Sequence, residues 1–210
     1  MAEESKTENF LMRTYLVTVE NVLGPNGLKS ILNYCNLGKY IDNFPPDNSE
    51  LEIPAKEAQI LFRALVELFG GRGARGLQLR VGREISRTAL EGRPAIAKAL
   101  RLAVSFVPET KKMRLALEKL ADQVGKSYTT NFDIPPVEVK EEDDYFIIIH
   151  RVRFESEDVV SEMPVCDIFV GMIQYFMEWI TGNDHEVVEV ECRAMGHPAD
   201  VFRVSKSHTE

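Results

Sequence analysis

Residues 189–202 read EVECRAMGHPADVF, and this stretch decides how the end of the chain must fold. Apolar and polar residues alternate in HEVVEVECRAM, and DVFRV follows Gly196, His197 and Pro198. Alternation with a period of two predicts strands, and a Gly-His-Pro stretch predicts a turn. We therefore expect a β-hairpin that carries one cysteine and several acids near its turn.

A second hairpin is predicted upstream of this one. The runs VEVK and YFIIIHRVRF flank the acidic stretch EEDD, which is typical of a turn between two strands. Between the two hairpins, VCDIFVGMIQYFMEWI predicts an apolar helix from about Phe169 to Ile180, which Thr181, Gly182 and Asn183 end. The order hairpin, helix, hairpin is typical of an antiparallel sheet with a helix packed on it.

The first 125 residues are predicted to be mostly helical. Gly24 to Gly27 should stop the first helix, and GGRGARG at residues 70–76 is expected to be a helix-breaking turn. That stretch lacks the Gly-Lys-Ser/Thr ending of a nucleotide-binding loop, and a helix precedes it where such a loop needs a strand. The predicted helices cover residues 9–23, 28–35, 54–69, 77–90, 94–107 and 110–125.

The predicted fold class is α+β. A helical N-terminal part should pack on an antiparallel sheet formed by two C-terminal hairpins with an intervening helix. Residues 1–8 are expected to form a disordered tail, and residues 9–206 a single domain. Within this domain, residues 9–127 should be mostly helical, and residues 128–206 should form the sheet and its helix.

The composition of the chain argues against a membrane-spanning protein and against a secreted, disulfide-linked protein. The chain has 210 residues, of which 44% are hydrophobic and 28% charged, and no apolar run approaches the roughly 20 residues of a membrane span. The start MAEESKTENF is acidic where a secretory signal would be basic and then apolar, so we expect a cytoplasmic protein with no membrane partner. Three separated cysteines favour reduced thiols or a metal over a disulfide framework.

Charge is divided unevenly along the chain. The formal net charge is −8, and residues 131–210 carry 18 acidic but only 6 basic residues. Arginines cluster between residues 72 and 87, but a solvated helix face accounts for them, so no nucleic-acid partner is expected. The four histidines occur singly and no Gly-x-Ser-x-Gly motif is present, so no enzyme activity is predicted from the residues.

Four residues form a candidate metal site: Cys166, Glu189, Cys192 and Asp200. Thiolates and carboxylates are ligands that zinc accepts, and a position at a helix N-terminus should lower the pKa of Cys166. Glu189 and Cys192 are three residues apart, so a bulge must bring them to the same side of the strand. Buried structural cysteines are the alternative interpretation.

The segments PVCDIFVGMIQYFMEWITG (164–182) and VEVECRAMGHPADVFRV (188–204) resemble the closing signature of the 4-vinyl reductase, or hydrocarbon-binding, domain family. The resemblance implies a fold related to Bet-type vesicle-tethering subunits and binding of small hydrophobic or aromatic molecules. Family members include sensing modules of bacterial regulators and a protein of bacteriochlorophyll biosynthesis, and they commonly form homodimers.

The resemblance also implies a zinc site. Carried over by position, its ligands are Cys166, Glu189 and Cys192, with Asp200 in place of the family's last cysteine. Two thiolates and two carboxylates would leave the site near −2 and weaken zinc binding, unless His197 supplies an imidazole instead. Loss of the metal, with the two cysteines simply packed, is the other alternative.

The function expected from these observations is the binding of a hydrophobic or aromatic molecule in a closed apolar pocket beside the metal site. The tyrosine side of the YFIIIH strand is expected to face this pocket, because a phenol can both pack and donate a hydrogen bond. Two alternatives are an accessory or enzymatic role in chlorophyll vinyl reduction and a tethering-type homodimer without a ligand. The predicted ligand-binding residues are Tyr145, Ile147, Phe169, Val170, Ile173 and Phe176.

Overall fold

A computed structural model describes residues 6–126 and 134–208 of the chain. Five helices and six strands occur in the described residues. In chain order they are β1 (Lys6–Glu8), α1 (Asn9–Tyr34), β2 (Leu51–Pro54), α2 (Ala55–Glu91), α3 (Pro94–Val104), α4 (Glu109–Lys126), β3 (Val137–Glu141), β4 (Tyr145–His150), α5 (Asp167–Thr181), β5 (His185–Glu191) and β6 (Asp200–His208).

The main sheet is antiparallel, with the strand order β3-β4-β6-β5. Its two outer pairs are the predicted hairpins, and β4 and β6 join them by direct pairing of Tyr145 with Ser205 through His150 with Asp200. Helix α5 lies between the hairpins in sequence. The predicted α+β class and its arrangement of helices on a two-hairpin sheet are therefore confirmed.

One face of the sheet forms the core against α5. Along β4 the buried residues are Phe146, Ile148 and His150, and they alternate with partly exposed residues as the period of a strand requires. Phe202 of β6 is fully buried, and its ring contacts Phe169 of α5 at a centroid distance of 4.9 Å. Sheet and helix thus share one apolar layer.

Helices α2 and α5 cross in backbone contact because two glycines leave room. A Cβ on Gly82 would lie 1.9 Å from the carbonyl oxygen of Ile168, and a Cβ on Gly171 would lie 2.1 Å from that of Leu79. Any side chain at either position would overlap the backbone of the other helix. The N-terminal helices are held on α5, and so on the sheet, by this crossing.

Two helices are longer than the sequence indicated. Helices α1 and α2 each continue past their glycine-containing stretches, with one non-helical residue at Gly24 (φ 75°) and at Gly70 (φ 70°). The expectation that GGRGARG forms a turn is wrong, because only its first glycine leaves helical geometry. A positive φ is inexpensive for glycine, so one residue can kink the chain and the helix can resume at once.

The start of the chain is also more ordered than predicted. Lys6–Glu8, assigned to a disordered tail, pairs antiparallel with β2. Pro54, expected to open a helix, ends β2 and caps α2 instead. The change from helical to sheet structure is predicted at residues 127 and 128, which lie outside the described residues. In the described parts of the chain, no helix combines the length and apolar character needed to cross a bilayer.

Candidate functional site

Four predicted ligands converge at one end of the sheet. One ligand atom from each of Cys166, Glu189, Cys192 and Asp200 lies within 4.8 Å of the others, and all four residues are buried. Cys166 caps α5, Glu189 lies on β5, Cys192 follows that strand, and Asp200 begins β6. We call this set the four-ligand cluster.

An irregularity in strand pairing makes the cluster possible. The register between β5 and β6 shifts between Glu189 and Glu191, so one extra residue enters the strand just before Cys192. This is the bulge that the spacing of Glu189 and Cys192 required. The short 3-10 turn Arg193–Met195 then carries the chain back towards Asp200.

Hydrogen bonds fix both carboxylates. Glu189 Oε2 accepts a 2.8 Å bond from the backbone N–H of Cys166, whereas Glu189 Oε1 is buried with no hydrogen-bond partner among the described residues. Asp200 accepts from the backbone N–H of Arg193 at 2.7 Å and from the hydroxyl of Ser156 at 2.6 Å. A buried carboxylate oxygen is ordinarily paired, so Glu189 Oε1 has the capacity to accept a further ligand.

Burial sets the protonation of the cluster. Desolvation raises the pKa of Cys166 well above its ordinary value, and the neighbouring Cys192, Glu189 and Asp200 act in the same direction. The expectation that the helix terminus lowers this pKa is wrong, because burial outweighs the helix end. Desolvation raises the pKa of Glu189 to about 9, and a hydrogen bond with Cys166 lowers that of Cys192 to about 6. In the absence of a cation the cluster therefore retains protons on Cys166 and Glu189.

A buried ion pair that the sequence did not reveal borders the cluster. Arg153 and Glu155 are 7% and 0% exposed and form a salt bridge in the segment between β4 and α5. The Arg153 guanidinium lies 4.6 Å from the ring centre of Phe169, and Glu155 accepts a bond from the Phe169 N–H at 3.3 Å. In the sequence, the only indication of this buried pair is that the charged residues of RVRFES directly follow an apolar strand.

The predicted ligand-binding residues fall on two sides of the sheet. Phe169, Val170, Ile173 and Phe176 are buried on α5. Tyr145 and Ile147 lie on the opposite, partly exposed face of β4, so the structure does not bring them together with the helix residues. The inward face of β4 is that of Phe146, Ile148 and His150, and not the tyrosine side.

Two pockets of the described residues are open clefts of about 270 and 180 Å³. Tyr145 and Arg203 line the larger one on the outer face of the sheet, and the smaller one lies beside α1. Both are smaller than a typical ligand pocket of about 300–1,000 Å³. A closed chamber between α5 and the sheet, as expected from the sequence, is not among them.

Solved structures similar to this chain include members of two groups of proteins. The phenol-responsive sensory domain of the transcription activator PoxR matches with a TM-score of 0.54 and 17% identity, covering 77% of this chain and 79% of that one. An H-NOX protein from K. algicida matches with a TM-score of 0.62 and 12% identity over 96% and 97% of the two chains. One from S. oneidensis matches at 0.59 and 9% over 94% and 99%. No family model and no curated protein matches this chain.

These similarities correct the family expected from the sequence. The similar structures are consistently H-NOX domains, joined by the PoxR sensory domain, and not 4-vinyl reductase domains. The assignment to the 4-vinyl reductase family, and with it the link to bacteriochlorophyll biosynthesis, is therefore wrong. The sequence resemblance to the 4-vinyl reductase family covered only the short segments 164–182 and 188–204. The structural similarity to H-NOX proteins spans nearly the whole chain.

The cofactor expectation is corrected as well. Two of the similar structures concern heme, one its distortion in the H-NOX family and one its redox potential, and so direct attention to heme and away from zinc. Heme iron takes a histidine, cysteine, methionine or tyrosine ligand, and of these only Tyr145 lines either of the two described clefts. Neither of the two clefts is lined by a histidine or a cysteine, and His150 is fully buried with its ring packed 5.2 Å from that of Phe169. The similarity to H-NOX proteins, at 18% identity or less, thus shows a shared fold.

Proposed function

We propose that this chain is a small-molecule-binding sensory domain whose ligand is apolar or aromatic. The observation that carries the proposal is the fold: it is shared over most of the chain with a phenol-responsive domain and with heme-binding H-NOX domains. Both kinds of protein hold a small molecule in a compact α+β domain.

We place the ligand on the core side of α5. Phe169, Val170 and Ile173 are at most 2% exposed there, and Phe176 closes the row next to Trp179, with which it stacks at 6.0 Å. Aromatic and branched side chains of this kind give a ligand apolar contact worth about 25 cal/mol per Å². Neither of the two open clefts lies on this side of α5, so the proposed site is distinct from both.

Calorimetric titration of the full chain with phenol, and spectroscopic titration with hemin, test this proposal. Val170→Ile adds one methylene to the proposed site, whereas Val19→Ile adds one to the equally buried helical core. We expect phenol binding that Val170→Ile weakens by about tenfold, at a cost near 1.4 kcal/mol, while Val19→Ile leaves it unchanged. Equal loss in both variants would mean that core disruption, and not the proposed site, sets the affinity.

A specific observation also favours a second function, that of a tethering or scaffold protein. Phe169 of α5 packs directly on the rings of His150 and Phe202, as expected of a filled core in a scaffold without a ligand. Failure to bind phenol, hemin or any retained molecule, together with formation of a stable dimer, would favour this function. The oligomeric state, expected from sequence to be dimeric, stays a prediction that light scattering tests.

We further propose that the four-ligand cluster binds a metal ion, whose identity we leave to measurement. The convergence of four buried ligand atoms within 4.8 Å and the partnerless Glu189 Oε1 support it. A bound cation would displace the protons that burial keeps on Cys166 and Glu189 and tie α5 to the β5–β6 hairpin. Elemental analysis of protein purified without added metal should find one ion per chain, and none in Cys192→Ser. Metal-free wild-type protein would contradict this assignment.

A further inference from the structure

Helix α3 carries an apolar face that points away from the protein. Val104 is buried against the body of the molecule, but Ile96 and Leu102 are each 63% exposed, and Phe106 directly after the helix is 99% exposed. The remaining exposed residues of this face are alanines. The full set, which we call the α3 face, is Ala95, Ile96, Ala99, Leu102, Ala103 and Phe106.

The geometry of the helix separates this face from its polar stripe. With about 100° per residue, Leu102 lies roughly opposite the buried Val104, while Lys98 and Arg101 lie together on one flank. Arg101 stays on that flank because it donates to the carbonyl of Trp179 and lies over its ring at 4.6 Å. The exposed side of α3 is therefore apolar without interruption, and its border is basic.

Charge indicates what covers this face. Residues 93–114 contain six basic residues and one acidic residue, in a chain whose net charge is −8. Within the described residues, no carboxylate lies within salt-bridge distance of Lys98, Lys111 or Lys112. Lys98 lies on the flank of α3, and Lys111 and Lys112 lie in the first turn of the next helix along the chain. An apolar surface flanked by a free lysine, with two more close by in sequence, is complementary to an anionic surface with an apolar interior.

We propose that the α3 face docks on an anionic lipid bilayer, with its apolar residues in the headgroup region and the lysines on lipid phosphates. A second copy of the chain fits less well, since a symmetric contact would bring the same cations together. Surface docking needs no spanning helix, so it agrees with the absence of one among the described residues. It does depart from the sequence-based expectation of no membrane partner, and it is independent of the proposed ligand binding.

Flotation of the full chain with vesicles tests this inference. Vesicles of phosphatidylcholine alone and of phosphatidylcholine mixed with phosphatidylglycerol are compared at low and high salt. We expect flotation only with the anionic vesicles, and reduced flotation at high salt. The double variant Leu102→Ser/Phe106→Ser should bind about tenfold more weakly or worse, because two exposed apolar groups are lost. Val22→Ser, which changes a 41% exposed residue of α1, serves as the matched control.

A second pair of variants separates charge from apolar contact. Lys98→Glu/Lys111→Glu should abolish the preference for anionic vesicles, and unchanged circular dichroism and melting temperature verify that each variant is folded. Absence of wild-type flotation, or flotation that none of these variants changes, would overturn the inference. A dimer that Leu102→Ser/Phe106→Ser converts to a monomer, without any flotation, would assign the face to a second copy and equally overturn it.

Discussion

At the scale of single residues, the interior near the four-ligand cluster is unusually polar. Arg153, Glu155, His150 and Asp200 are all at most 7% exposed. The sequence located the cluster itself, because cysteines and acids at the ends of predicted strands and of a helix are recognisable. It could not locate Arg153 and Glu155, because a charged residue after a strand is ordinarily at the surface.

Removal of one member of the buried ion pair should be costly. Arg153→Ala leaves Glu155, which is 0% exposed, charged and without its partner, so we expect the free energy of unfolding to fall by about 3–5 kcal/mol. Arg153→Met/Glu155→Leu removes both charges and should recover most of this loss. Urea denaturation measures the free energy of unfolding of the wild-type protein, the single variant and the double variant. A double variant no more stable than Arg153→Ala would refute the ion-pair explanation.

Burial of His150 should make stability depend on pH. Desolvation, with Arg153 and Arg193 nearby, lowers the pKa of His150 well below 6.5. The unfolded chain therefore takes up a proton below pH 6.5 that the folded chain refuses. The contribution of His150 to the free energy of unfolding is therefore fully present above pH 6.5. As the pH decreases from 6.5, this free energy decreases by up to about 1.4 kcal/mol per pH unit. His150→Phe should flatten this part of the profile in thermal melts recorded between pH 7 and 5, whereas an unchanged slope would assign it to other groups.

At the scale of elements, helix crossing and strand irregularity position the site. The crossing of α2 and α5 depends on Gly82 and Gly171, and the bulge in β5 brings Cys192 beside Glu189. Each of these features is one residue wide, yet each determines where a whole element lies.

The glycines give a direct test of the crossing. Gly171→Ala would place a Cβ 2.1 Å from the Leu79 carbonyl oxygen, so the helices must separate, and we expect a loss of about 3 kcal/mol. Gly76→Ala is the matched control, since nothing lies within 4 Å of its Cβ and its φ is not positive. Alanine is the better helix former, so this variant should gain about 0.5–1 kcal/mol. Equal effects in urea denaturation would show that the crossing is not close.

The sequence predicted most elements but not how they continue or meet. Periodicity located both hairpins and α5, because an amphipathic pattern reports which face of an element is buried. The glycine-containing stretches at Gly24 and Gly70 predict helix ends, but the structure has kinks there. Sequence alone does not distinguish a turn from a single residue with positive φ. The close contacts of Gly82 and Gly171 were missed for a related reason, as a glycine in a helix carries no sign of its neighbour.

At the scale of the whole molecule, the proposed ligand binding rests on a fold shared with H-NOX proteins and with the PoxR sensory domain. Local sequence similarity led to the wrong family, whereas the arrangement of all elements matches H-NOX proteins over 94–98% of this chain. Which face of β4 turns inward was also misjudged. Both faces of that strand are apolar, so the sequence pattern did not choose between them.

Native mass spectrometry of the 210-residue chain, as purified and after incubation with phenol, tests the central claim most directly. We predict one small apolar molecule per chain, either retained from the cells or added as phenol, and its loss when the protein is denatured. The phenol concentration is set well above the highest one used in the calorimetric titration. If no chain carries a small molecule in either sample, the assignment as a ligand-binding sensory domain is contradicted.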